Sequence, residues 1–117
     1  MIVNKVGKKI RTDIRKCVEY QILSYCFLKG IQISNTDLSC LGELALTGEY
    51  ELTAFCKIAA ENKIFKSPQS ARNAITKAAK KGLVQKNGNN KKTIIISKDL
   101  NVQTEGPILL DYKMFAQ

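Results

Sequence analysis

The chain has 117 residues with 19 Lys+Arg, 10 Asp+Glu, no His, no Trp and four Cys, for a net charge of +9. That length fits one domain, able to bury about 65% of its unfolded-state surface without metal or disulfide help, and 44% apolar content suits a folded chain rather than a disordered one. No stretch reaches the ~18 uninterrupted apolar residues of a membrane span, and no apolar h-region follows the basic segment 1–11. The absence of histidine removes Ser-His-Asp and Cys-His nucleophile systems and His-ligated metal sites. The expected location is the cytoplasm, or a particle assembled there.

In chain order, Ile2, Val3 and Val6 make 2–6 a short β-prone start. From Ile10 the apolar positions take helical spacing: Ile10, Ile14, Val18, Ile22, Tyr25 and Leu28, with Cys17 beside them. The pattern predicts a helix over about 11–29, stopped by Gly30, and a short extended link at 31–33. Asn35, Thr36 and Asp37 offer N-caps for a second helix with Leu38, Leu41, Leu44 and Ala45 inward, closed at Thr47 and Gly48. A third helix is expected over about 50–62, with Leu52, Phe55, Cys56 and Ala59 inward. The fourth is the best marked, with Ser67 as N-cap, Pro68 at the first helical position and Gly82 as the stop after Lys80 and Lys81. Ala71, Ile75 and Ala78 face the core; Gln69, Arg72, Asn73, Thr76, Lys77 and Lys80 face out.

Strands at 83–86 and 92–97 then form a hairpin through Asn87-Gly88-Asn89-Asn90, since Asn-Gly tolerates the positive φ that tight hairpin turns need. After a polar link, Gly106-Pro107 turns the chain into a last strand at 108–115, where Ile108, Leu110, Tyr112 and Met114 alternate with Asp111 and Lys113.

Few residues suggest chemistry. Cys17, Cys26, Cys40 and Cys56 contain no C-x-x-C pair, which argues against zinc, and each lies in an apolar helical pattern, so they read as four buried small hydrophobes in a reducing compartment. Gly7-Lys8-Lys9 lacks the spacing of a phosphate loop. Glu49 and Glu51 suit a helix start better than an acid/base pair. The four tyrosines are scattered and read as core or core edge. No cofactor, metal or catalytic residue is expected, and the chain reads as non-enzymatic.

The segment 50–97 resembles the winged helix-turn-helix superfamily. The resemblance rests on the helix–turn–helix spacing from Phe55 to Lys81 and on SPQSARNAITKAAKKGLVQKNGNNKKTIIIS, a recognition-helix pattern running into a wing. It implies an α+β winged-helix domain spanning 1–117, with about four helices, a β-hairpin wing and a C-terminal strand. The stretch 91–115, with QTEGPILLDYK, is similar to small proteins of crAss-like Bacteroidetes bacteriophages.

Charge placement points to a polyanion partner. From Asn62 to Lys98 there are ten Lys/Arg and no Asp or Glu, and six more basic residues (Lys5, Lys8, Lys9, Arg11, Arg15, Lys16) crowd the N-terminus beside Asp13. On the family geometry the outward side of 67–81 enters a major groove. Arg72 and Asn73 would then reach base edges, with Gln69 near them at the helix start and Thr76, Lys77 and Lys80 on the same outward side. Ser67, Ser70 and the helix N-terminus would hold a phosphate. Lys86, Lys91 and Lys92 on the wing would contact the backbone or the minor groove. The leading expectation is a phage- or mobile-element-encoded protein that binds double-stranded DNA, as a regulator or replication accessory. The alternative is a virion structural protein, such as a head–tail connector, ring or tail subunit, docking neighbouring phage proteins or further copies of itself. The apolar stripe of the first helix looks no wider than core packing requires.

Overall fold

The structure is a computed structural model that describes residues 13–87 and 92–106. Four helices and a small sheet occur in the order α1 (Ile14–Lys29), α2 (Asn35–Thr47), β1 (Tyr50–Glu51), α3 (Leu52–Glu61), α4 (Pro68–Lys80), β2 (Val84–Asn87) and β3 (Thr93–Ile96), followed by a single 3-10 turn at Lys98–Leu100. The class is α+β. The expected strands at 2–6 and 108–115 lie outside the described residues, as do most of the hairpin turn and Lys91.

The helix ends follow local chemistry. The Asp13 side chain accepts the Lys16 N–H at 2.8 Å, so α1 starts at Ile14 rather than near residue 11. At its other end Gly30 adopts φ +70, and the Ile31 N–H reaches back to the Cys26 carbonyl at 2.8 Å, which stops the helix as expected. Ser34, rather than the expected Asn35, Thr36 or Asp37, caps α2 through the Asp37 N–H. Ser67 caps α4 with Pro68 behind it, and Gly82 at φ +78 closes α4 with Leu83 N–H on the Ala78 carbonyl.

Two expectations need correction. Tyr50 and Glu51 are a strand, not the start of α3: Tyr50 pairs with Ile94 and Glu51 with Thr93. The sheet is therefore three-stranded and antiparallel, in the order β1-β3-β2, with Val84 opposite Ile96 and Lys86 opposite Ile94. The inward face of α1 is as expected at Val18, Ile22 and Tyr25 but differs toward its ends. Val18, Gln21, Ile22 and Cys26 are buried, whereas Ile14 and Leu28 are exposed. Gln21 is accepted in the interior because its side chain bonds the backbone of Gln103 twice, donating to its carbonyl and accepting its N–H, both at 2.8 Å.

One core joins these elements. Val18, Ile22 and Cys26 of α1, Cys40, Leu41 and Leu44 of α2, Phe55 of α3, Ile75 of α4, Leu83, and Ile94 of the central strand are all essentially inaccessible. The link after β3 contributes too, since its 3-10 turn buries Leu100. Between α3 and α4 a second cluster of Cys56, Ala59 and Ala71 uses small side chains to bring the two helices close. Three of the four cysteines are buried as expected; Cys17 is half-buried.

Candidate nucleic-acid interface

The residues expected to meet a polyanion converge on α4 and the hairpin that follows. Ser67-Pro68 starts the helix at a defined residue, and Ala71, Ile75 and Ala78 bury one side of it. The opposite side is left to Gln69, Asn73, Thr76, Lys77 and Lys80, all exposed. On the edge strand β2, Lys86 is exposed, and Lys92, just before β3, is exposed as well. Lys91 lies outside the described residues. Lys92 sits at the far end of the hairpin, where its carbonyl accepts the Leu52 N–H at 2.8 Å and ties the hairpin to the start of α3.

Several of these side chains are already engaged. Arg72 is half-buried, and its guanidinium donates to Thr53 Oγ1 of α3 at 3.0 Å. This bond ties α4 to α3 and fixes where the remaining guanidinium donors point. Gln69 Nε2 donates to Asn73 Oδ1 at 3.0 Å, one helical turn on, leaving the Asn73 amide group and the Gln69 carbonyl oxygen for other partners. Thr76 Oγ1 donates to the Arg72 carbonyl at 3.0 Å. Ser67 and Ser70 are committed to the helix start. Ser67 Oγ accepts the Ser70 N–H at 3.2 Å, and the two hydroxyls bond each other at 3.1 Å. Their hydroxyls are thus occupied by capping, which weakens the expectation of a phosphate on those two groups.

The lysines differ in their surroundings. Lys81 Nζ donates to the Gln32 carbonyl at 2.8 Å, so it braces the end of α4 against the link before α2. An open groove there is lined by Gln32, Ile33, Ser34, Asp37, Lys77 and Lys81. Asp37 shares that groove with the two lysines, so the positive potential at this end of α4 is partly offset. Among the described residues the one ion pair joins Arg15 of α1 to Glu43 of α2, away from this surface. Glu49, beside the hairpin, accepts hydrogen bonds from Asn87 and Thr93, and Glu51 caps α3 through the Thr53 N–H. Both carboxylates therefore serve the fold.

One residue that holds this surface was missed by sequence reasoning, and one that it counted only as a charge has an unusual backbone. Thr53 carries no signal of its own, because its role exists only once α3 and α4 pack. Lys63, in the turn between those helices, holds φ +61, a left-handed conformation that costs a non-glycine residue about 1–2 kcal/mol. Its N–H and that of Ile64 close α3 on the Ala60 and Ala59 carbonyls. Glycine is the usual residue at such a position, so a lysine there adds a charge to the turn at a backbone cost.

The three buried cysteines are not suited to nucleophilic chemistry. Burial pushes the Cys40 thiol up to about 12, with Asp37, Cys56 and Glu43 adding to the effect. Burial also raises Cys56, against the pull of Arg72, and Cys26, against that of Lys81. Such thiols stay protonated near neutral pH and behave as small hydrophobes. Among the described residues no group of His, Cys, Asp or Glu is arranged to hold a metal ion, and no helix is long and apolar enough to cross a membrane. Compared with known proteins, the chain matches no family model, no curated sequence and no solved structure.

Proposed function

We propose that this chain is a non-enzymatic winged-helix protein that binds double-stranded DNA through the outward side of α4 and the adjoining hairpin. The element order supports the winged-helix reading: a short strand precedes two packed helices, a hairpin follows them, and β1 joins the sheet beside β3. The observation that carries the functional reading is the side of α4 opposite Ala71, Ile75 and Ala78. It is wholly polar and basic, and it belongs to a 37-residue stretch, Asn62 to Lys98, without a single Asp or Glu. An ordinary solvated surface intersperses both signs of charge.

In this reading α4 lies in a major groove. Gln69 and Asn73 present amide groups to base edges, and Arg72, steadied by Thr53, reaches a guanine or a phosphate. Lys77, Lys80, Lys86, Lys91 and Lys92 neutralise phosphates. A regulator or replication accessory of a bacteriophage or mobile element fits such a protein. The second reading, a structural subunit of a phage particle, is favoured by one observation, the apolar outer side of α1 described below.

Sedimentation velocity with and without a mixed-sequence duplex, at two salt concentrations, separates the two. A protein that joins the duplex at low salt and leaves it at high salt supports the DNA-binding reading. A large closed oligomer indifferent to the duplex supports assembly and overturns it.

A further inference from the structure

We propose that the outer face of α1 is a self-association surface, on which a second copy of this chain packs its own α1 in antiparallel orientation. The observation is a second apolar stripe on α1. Tyr20, Leu23 and Phe27 are 50%, 43% and 73% exposed and recur at i, i+3 and i+7. At 100° per residue they fall together about 130° around the helix from Val18, Ile22 and Cys26, which face the core. Core packing therefore does not account for them. Single exposed apolar residues are ordinary, but three at this spacing form a continuous ridge.

The pattern fits another helix of the same kind. Lys16, Tyr20, Leu23 and Phe27 alternate by four, three and four residues, the spacing of a seam between two packed helices. Two such seams complement each other in only one orientation. A parallel pair sets Lys16 beside the partner's Lys16. An antiparallel pair about the midpoint of the stripe sets Tyr20 against the partner's Leu23, and Lys16 against the partner's Phe27. The ammonium group then lies over an aromatic ring and near the negative end of the partner's helix. The three stripe side chains expose about 400 Å² in each copy, so with their flanks the pair would bury on the order of 1,000 Å² in total, the lower end for a specific interface. The expected dimer is thus weak, with a dissociation constant on the order of 10 µM.

This proposal does not rest on the DNA-binding reading, and salt tells the two apart. Each copy carries +9, so screening that repulsion strengthens self-association. The same salt weakens contact with a polyanion.

Sedimentation equilibrium of the full chain over a wide concentration range, without nucleic acid, tests it. The expected result is a monomer–dimer equilibrium that tightens as salt rises, and that weakens at least ~100-fold in Leu23→Glu and in Phe27→Gln while circular dichroism stays native. Leu23→Glu lowers the net charge and Phe27→Gln leaves it unchanged, so a loss of association cannot come from added repulsion between whole molecules. Leu23→Gln gives the same reading should a buried charge disturb folding. A native chain that stays monomeric at every concentration overturns the proposal. So does a dimer that persists in these variants. In the monomeric case, slow hydrogen exchange and label protection at Phe27 would assign the face to another part of the same chain.

Discussion

Helices α1 and α4 both bury one side in the same core, yet their outer sides are opposites. On α4 the side away from Ala71, Ile75 and Ala78 holds amides, hydroxyls and lysines. On α1 the side away from Val18, Ile22 and Cys26 holds Tyr20, Leu23 and Phe27. The inner sides are alike because they answer to one requirement, removal of apolar surface from water. The outer sides answer to nothing within the described fold. A polar and basic face suits phosphates and base edges, whereas an apolar ridge suits another protein surface.

Changing one face at a time breaks this comparison most sharply. Reversing charge on the first face, as Lys77→Glu with Lys80→Glu and Lys86→Glu, is expected to lower duplex affinity by about 100- to 1,000-fold at low salt, read by fluorescence anisotropy. The same triple variant is expected to keep its self-association. Leu23→Glu is expected to do the reverse, weakening self-association at least ~100-fold while each monomer retains its contact with DNA. If either variant damages both properties, the two faces are not separate surfaces.

Smaller effects sharpen what holds the basic face in position. Ser67→Ala removes the cap of α4 and is expected to cost about 1 kcal/mol in denaturant unfolding. Thr53→Val removes the hydroxyl that accepts from Arg72, with an expected cost of about 0.5–1.5 kcal/mol. Comparing Thr53→Val with Arg72→Ala then separates the two roles of the arginine. If Arg72 touches DNA, Arg72→Ala lowers duplex affinity well beyond what Thr53→Val does. Equal effects would make Arg72 a positioning residue only.

The last expectation concerns pH and leaves neutral solution untouched. The Cys40 thiol is raised from its ordinary 9.0 to about 12 in the folded chain, chiefly by burial. Above pH 9.0 the unfolded chain loses this proton while the folded chain keeps it. The stability that this thiol contributes is therefore complete below pH 9.0 and is lost progressively as pH rises toward about 12. Melting temperatures across that range are expected to fall less steeply in Cys40→Ala than in the native chain.

Much of this architecture was legible in the sequence wherever a local signal decides the matter. Ser67 with Pro68, Gly82 and Gly30 mark helix ends by backbone chemistry that acts within a few residues. The spacing of Ala71, Ile75 and Ala78 set the inner side of α4, and thereby its outer side, because that helix has only one apolar stripe. Features decided at long range were not legible. Tyr50 and Glu51 look like a helix start, and only pairing with Ile94 and Thr93 makes them a strand. Helix α1 carries more apolar residues than one face can hold, so its sequence alone does not select the buried side. Gln21 is drawn inside by Gln103, 82 residues away. For the same reason the Thr53–Arg72 tie was invisible, and Arg72 read as a wholly outward side chain.

The most direct test of the DNA-binding reading is the salt dependence of duplex affinity for the native chain. Anisotropy of a labelled mixed-sequence duplex, titrated at several salt concentrations, gives the slope of log affinity against log salt. Six to eight neutralised phosphates correspond to a slope of about −5 to −7. A slope in that range that flattens in the Lys77→Glu, Lys80→Glu, Lys86→Glu variant is the expected result. No binding at low salt, or a slope that the variant leaves unchanged, would contradict the assignment of α4 and the hairpin as the face that meets DNA.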